Sequence, residues 1–298
     1  MQAKSRTLTR NDKSAYLFIL PFFLVYISFQ LFPQVFSFYL SLTNFKIRGT
    51  TAFVGLRNFV NAWNDKLFWQ GLRTTAFFWL TTLPVQMLGG FILAMLMINL
   101  GSRLRGMLSG FMYLPVVTNL IAVIFVFRLL FDQNYGVLNY VLQSLGMNGV
   151  PWLISPVWAR ISTVLLILWK GMGYYVVYML AGMMNVDRAL YEYAQLEGAN
   201  AVQKAWHITV PAIAPILLYQ AFTGTIAGWN IFLEPYMLFA RGGGPLNSCM
   251  TVAIYIYNEG FQNVKFSYGA AMSLMVAVIT TAFASLQFRL FNAKSMQR

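Results

Sequence analysis

Polar and apolar residues follow one another along this chain in long blocks. Six apolar runs, Tyr16–Leu42, Thr74–Ile98, Phe111–Phe131, Val157–Met183, Ala212–Phe239 and Tyr268–Phe291, are divided by polar segments. About 20 apolar residues in a helix cross a hydrocarbon core roughly 30 Å thick, so each run is long enough to span it. Backbone groups in hydrocarbon must be satisfied within the segment, and the ten-residue alternation of a barrel strand is absent. The runs therefore predict an all-α membrane protein with six transmembrane helices and no separate soluble domain. The first run follows a basic arm, Lys4, Arg6, Arg10 and Lys13. Its length, Pro21 and Pro33, and the lack of a small-residue cleavage site mark a permanent helix, not a cleaved signal.

Composition supports the same class: 58% of residues are hydrophobic and only 10% charged, against about 25% charged in soluble domains. A net charge of +13 would point to nucleic acid in a soluble protein. Here Lys and Arg fall mostly in loops and at helix ends, so membrane lipid is the expected partner and nucleic acid is not. With the N-terminus inside, Lys4, Arg6, Arg10, Lys13, Arg103, Arg105, Arg188, Lys204, Arg289, Lys294 and Arg298 are cytoplasmic. Lys46, Arg48, Arg57, Lys66, Arg73, Arg160, Arg241 and Lys265 then lie outside. The short termini and the Gly101–Gly110 loop decide the bias and predict both termini in the cytoplasm. Among the outer segments, Val54–Leu72 has the spacing of an amphipathic helix lying on the membrane face, and Arg241-Gly-Gly-Gly-Pro245 reads as a stiff turn.

Enzymatic chemistry finds little support. No Lys is preceded by Gly, as a phosphate-cradling P-loop requires. The single His207 and single Cys249 leave no His-based triad, no metal cluster and no internal disulfide. Glu234 is the one carboxylate well inside an apolar run, so the acid pair of a proton-coupled pump is missing.

The polar stretch between the fourth and fifth runs, residues 187–211, has a readable local structure. Asp187 is placed to cap a helix through Leu190, Glu192 and Gln195, and Gly198 to end it in the left-handed conformation. Asn200 and Gln203 have the spacing of a capping box for a second helix through Trp206. A helix–turn–helix unit on the cytoplasmic surface follows. A hairpin that merely lies on lipid would carry the same pattern.

Glu192, Ala194, Gly198, Ala199, Ile208 and Pro211, at their spacings, resemble the cytoplasmic EAA loop of binding-protein-dependent ABC importer permeases. Pro21, Gly55-Leu-Arg-Asn-Phe59, Leu114-Pro115, Trp229-Asn230-x-Phe232 and Gly242-Gly-Gly-Pro245 extend the likeness over nearly the whole chain, toward the maltose, lactose and glycerol-phosphate permeases. Tyr193, Ala205 and Ile231 depart from the usual Ala, Phe and acidic residue. The resemblance implies a type I-like ABC importer transmembrane domain over residues 1–298, in the bacterial inner membrane. It implies a second homologous permease and two ATP-binding cassette subunits docked on the EAA coupling loops. ATP and Mg would belong to those subunits, with no cofactor in this chain. An extracytoplasmic solute-binding protein would deliver a carbohydrate, neutral or anionic.

By the same resemblance a substrate site falls near the midplane, on Trp169, Lys170, Gly171 and Tyr174 of the fourth run and Trp229 and Asn230 of the fifth, with Asn119 in the third. Gly224 and Gly228 form a GxxxG pattern that more often signals close helix packing. Lys170 is too deep to snorkel, so its ammonium needs a partner. Glu234, a carboxylate or helix C-terminus of the second permease, or an anionic substrate would each serve. A secondary transporter or channel without an ATPase, an importer of a non-sugar solute such as a glycerol phosphate, and a purely structural subunit are the competing readings. The first of these predicts ion ligands at broken helices.

Overall fold

The computed structural model describes residues 10–47, 49–240 and 242–295, with side chains from residue 16 to 289 within those ranges. Lys4, Arg6, Arg48, Arg241 and Arg298 thus lie outside the described residues, as do the side chains of Arg10, Lys13 and Lys294. In chain order the helices are α1 (Arg10–Tyr26), α2 (Phe32–Ser41), α3 (Arg57–Trp63), α4 (Lys66–Ile98), α5 (Ser102–Val117), α6 (Leu120–Leu130), α7 (Val137–Ser144) and α8 (Pro156–Met184). They continue with α9 (Arg188–Leu196), α10 (Ala201–Lys204), α11 (Val210–Ala212), α12 (Ala214–Trp229), α13 (Leu233–Leu238), α14 (Val252–Tyr257) and α15 (Phe266–Ser295). Four stretches, Tyr16–Ser41, α4, α8 and Phe266–Arg289, are long and apolar enough to cross a membrane. Six such spans result if two bent pairs each count as one: α5 with α6, bent by 94°, and Ala201–Ala212 with α12, bent by 72°.

Residues up to Asn64 together with Ile256–Met275 form one compact unit. In it α2 runs into a short antiparallel hairpin, Thr43–Asn44 on Ala52–Phe53. Asn58 of α3 holds the entry to that hairpin by donating through Nδ2 to the carbonyls of Ser41 at 2.8 Å and Thr43 at 2.9 Å. The backbone N–H of Phe45 donates to the Ser267 hydroxyl at 2.9 Å. The amphipathic helix expected over Val54–Leu72 is instead divided between α3 and the start of α4. Asp65 accepts from the Leu67 N–H at 2.8 Å and so starts a new helix there.

The second unit comprises Asp65–Tyr255 and the chain from Val276 onward. Here α8 packs against α4 and α5, and α4 against α12. Phe78, Leu166, Val176 and Met179 are fully buried in its core. The Gly224–Gly228 pair is a packing device: a Cβ on Gly228 would approach the Trp79 ring to 2.7 Å, and one on Gly224 would meet Leu83 and the Tyr175 hydroxyl.

Hydropathy makes Phe111–Phe131 one run, yet the structure breaks it at Thr118 and Asn119. Pro115 stands near the end of α5, and Asn119 starts α6 by accepting from the N–H groups of Ile121 at 2.9 Å and Ala122 at 3.2 Å. A break of this kind orphans carbonyls at the end of α5, which hydrocarbon cannot satisfy. Lys170 of α8 supplies the donors. Its Nζ donates to the carbonyls of Pro115 at 2.5 Å, Val116 at 2.9 Å and Thr118 at 2.9 Å. An ammonium has three N–H donors and all three are used. The positive charge also sits at the negative end of the α5 dipole. Glu234 is not its ion-pair partner, since the one ion pair among the described residues is Lys265–Glu259 at 2.7 Å.

Replacing Lys170 by Met removes the donor from the Val116 and Thr118 carbonyls, while the Pro115 carbonyl keeps the Thr118 hydroxyl at 2.6 Å, and is expected to cost about 1–3 kcal/mol. The melting temperature of the purified protein reads this. Glu234→Gln should shift it far less, and adding it to Lys170→Met should restore nothing. Rescue in the double variant would establish a Lys170–Glu234 pair and remove the tether.

Candidate substrate cavity and coupling segment

The helix–turn–helix segment is built from local rules. Asp187 accepts from the Ala189 N–H at 3.0 Å and caps α9. At the other end Gly198 adopts φ +78°. Its N–H donates to the Gln195 carbonyl at 3.1 Å and the Ala199 N–H donates to the Ala194 carbonyl at 2.8 Å. These two bonds make a Schellman motif, in which the left-handed position favours glycine. Asn200 and Gln203 then exchange side-chain and backbone bonds at 2.9 and 2.8 Å, the capping box that opens α10. A π turn, Ala205–Thr209, leads into α11. The Tyr191 and Thr209 hydroxyls meet at 2.9 Å and tie the two arms together.

Of the residues singled out in this segment, Glu192 is exposed on α9, Ala194 and Ala199 are half-buried around the turn, and Ile208 and Pro211 are half-buried in the second arm. Glu192 also lines a cleft of about 720 Å³ shared with Arg105, Arg188 and Lys204. Leu196 is 85% exposed and Trp206 68% exposed, with Tyr193 and Val202 also open. The segment thus offers an uncovered apolar surface beside the exposed carboxylates of Glu192 and Glu197.

The residues proposed for substrate contact separate into groups. Lys170, Gly171 and Tyr174 line one cavity of about 300 Å³ together with Gln86, Thr223 and Glu234, near the lower end of the range for small-molecule sites. The room that Gly171 leaves is occupied by the Gln86 amide, whose Nε2 donates to the Ile167 carbonyl at 3.0 Å. The Tyr174 and Thr223 hydroxyls lie 3.4 Å apart. Tyr174 packs on Tyr178 with ring centroids at 4.5 Å, and Tyr178 stacks with Tyr219 at 6.2 Å. Tyr178 and Tyr219 leave substantial ring surface exposed.

Asn119 and Trp169 line a different opening of about 710 Å³, whose other walls include Val123, Phe127 and Leu165. Trp169 packs there on Phe127 at 5.3 Å. Trp229 is 4% exposed and packed between Trp79 and Phe283. Asn230 is exposed and bonds back to the Ile226 carbonyl at 2.7 Å, closing α12. Neither lines the smaller cavity. Sequence reasoning did not single out Gln86, Thr223, Tyr178 or Tyr219 for the site. Their one sequence signal was the Tyr174–Tyr178 spacing of four, which places both rings on one helix face.

The smaller cavity offers hydroxyls, an amide and a carboxyl group, beside rings that can lie against the C–H face of a sugar. The larger opening is walled almost wholly by hydrocarbon. Hydroxylated solutes suit the first, because polar groups taken from water need hydrogen-bond partners.

Comparison with known proteins agrees with this architecture. Residues 86–294 match the family described as binding-protein-dependent transport system inner membrane component. The chain is 34% identical over 281 residues to the lactose transport system permease protein LacF of Rhizobium radiobacter, covering 93% of each chain. It is 30% identical over 291 residues to the arabinooligosaccharides transport system permease protein AraP of Bacillus subtilis, covering 97% of this chain and 92% of that one. Its fold matches a chain of a bacterial ABC transporter involved in the import of the acidic polysaccharide alginate, with a TM-score of 0.84 at 22% identity over 95% of this chain and 96% of that chain. The chain therefore belongs to the binding-protein-dependent transport system inner membrane components, as a multi-pass permease subunit.

Proposed function

We propose that this chain is one of two permeases in an ATP-driven importer, that it passes a carbohydrate through the cavity at Lys170, Gly171 and Tyr174, and that the segment 187–211 couples it to ATP hydrolysis. The observation that carries the coupling role is the ordered hairpin, capped at Asp187, turned at Gly198 and boxed at Asn200, with Glu192 and the apolar residues Tyr193, Leu196 and Trp206 uncovered. A surface with those properties suits a groove on a cytoplasmic ATPase subunit, Glu192 meeting a basic group there. Two such subunits would hold ATP and Mg, and a solute-binding protein would deliver substrate from outside. The carbohydrate class is supported by the lactose and arabinooligosaccharide permeases among the relatives. A secondary transporter would need free carbonyls at its broken helices to hold a coupling ion. At the α5–α6 break three of them are already taken by Lys170.

In the mechanism, closure of the ATPase subunits moves the hairpin as a rigid body, which a disordered linker could not transmit. Gly198→Pro cannot adopt the φ of +78° found there, and Glu192→Ala removes the exposed charge. Both variants should insert in the membrane normally, yet lose substrate-stimulated ATP hydrolysis by about tenfold or more, the equivalent of one lost contact of roughly 1.4 kcal/mol. The assay is ATP turnover of the reconstituted complex with binding protein and substrate. Parental stimulation in both variants would end the coupling role.

The proposed orientation has the termini and Lys204 in the cytoplasm and Asn247 outside. Cys249 is itself buried, with its Sγ 3.7 Å from the Thr163 hydroxyl, so it cannot report on either face. In a Cys249→Ser background, a membrane-impermeant thiol reagent applied to spheroplasts should label Asn247→Cys and spare Lys204→Cys. The reverse pattern would invert the topology.

A further inference from the structure

Two ionisable groups of opposite sign, Lys170 and Glu234, line the cavity assigned above to the sugar. We infer that this cavity selects uncharged glycans, with Glu234 disfavouring acidic ones. The inference rests on the carbohydrate reading and deepens it.

Lys170 is the one cation among the described residues along the cavity wall, and its three donors are already bonded to the carbonyls of Pro115, Val116 and Thr118. An anion entering the cavity could not take a hydrogen bond from the ammonium without releasing one of those carbonyls into a poorly solvated site. The electrostatics point the same way. A helix C-terminus carries about −0.5 of an elementary charge, so the end of α5 offsets about half of the ammonium. With Glu234 ionised, the balance seen by a ligand is negative by roughly half a charge. With Glu234 protonated, the cavity still holds no uncommitted cation.

The other polar groups offer a carboxylate or sulfonate no charge. One N–H of the Gln86 amide is bonded to the Ile167 carbonyl and the Thr223 hydroxyl donates to the Tyr219 carbonyl at 2.8 Å, so the donors along the wall are neutral ones, the second Gln86 N–H and the Tyr174 and Tyr175 hydroxyls. Sugar hydroxyls, by contrast, donate as well as accept. The Gln86 carbonyl oxygen, the Glu234 carboxyl and the Tyr174 hydroxyl can take their protons, and next to the cavity the exposed faces of Tyr178 and Tyr219, packed in a row on Tyr174, can lie on the ring C–H surface. A lining that holds a carboxyl group and a cation already committed to backbone carbonyls distinguishes neutral from acidic sugars by their charge, whatever the linkage.

The test is equilibrium binding to the purified, detergent-solubilised transporter complex without the solute-binding protein, so that this protein's own selectivity does not intervene. Isothermal titration would compare neutral trisaccharides (maltotriose, galactotriose, arabinotriose) with trigalacturonate and trimannuronate. At least one neutral sugar should bind about tenfold or more tightly than either acidic one, the scale expected for a like-charge clash. Glu234→Gln should shrink that ratio, whereas the parent comparison needs no variant to fold. Tighter binding of an acidic trisaccharide by the parent would overturn the inference while leaving the carbohydrate reading in place. An unchanged ratio in folded Glu234→Gln would overturn the role of Glu234. Binding of neither class would overturn the carbohydrate reading and the inference together.

Discussion

The constraint on which this structure turns is that a helix broken inside hydrocarbon must find donors for the carbonyls it orphans. The chain bends by 94° between α5 and α6, and the carbonyls freed at the end of α5 need donors. One side chain from α8 resolves this, because an ammonium brings three donors and a charge of the sign that a helix C-terminus favours. The bend in turn fixes where α6 begins and what lines the opening beside Asn119 and Trp169. Taking a cation into a membrane is costly. Using it against three carbonyls and a helix dipole makes the cation structural and leaves it little capacity to act on a ligand.

Much of the local structure of residues 187–211 was legible in the sequence because its determinants are local. Asp187, Gly198 and the Asn200–Gln203 pair act on backbone groups within a few residues, so spacing alone identifies them. The GxxxG pair was legible as an alternative and is packed against Leu83, Tyr175 and Trp79. The α5–α6 break was not legible, because Phe111–Phe131 has an unbroken apolar character and a hydropathy window averages across Thr118 and Asn119. The partner of Lys170 was hidden for a different reason. Backbone carbonyls have no sequence signature, and a search for a compensating carboxylate pointed to Glu234.

Adjacent residues on a helix point about 100° apart, which explains the division of the proposed site. Trp169 and Lys170 are neighbours in sequence, yet Trp169 lines the larger opening and Lys170 the smaller cavity. Trp229 is buried against Trp79 and Phe283, while Asn230 is exposed and serves the end of its own helix. The cavity's remaining walls come from Gln86 on α4 and Thr223 on α12, far apart in sequence. Tertiary packing brings them together, and no spacing rule could.

The proposed lever also needs a stiff route from hairpin to cavity, and the corner between α11 and α12 provides one. Pro215 lacks the N–H that would bond to the Pro211 carbonyl, and its ring would crowd that same carbonyl, which favours the 72° bend found here. The corner is then locked by packing. Thr209 is fully buried and Ile213 nearly so, the Ile213 N–H donates to the Thr209 carbonyl at 3.0 Å, and Ile213 and Ile216 lie so close to Gly182 that a Cβ there would collide. Gly182 belongs to α8, which begins on the far side of Lys170 and Tyr174. In the proposed lever a rotation of the hairpin would pass through this packed corner into α8 and α12, the two helices that carry Tyr174 and Thr223, and so to the cavity wall.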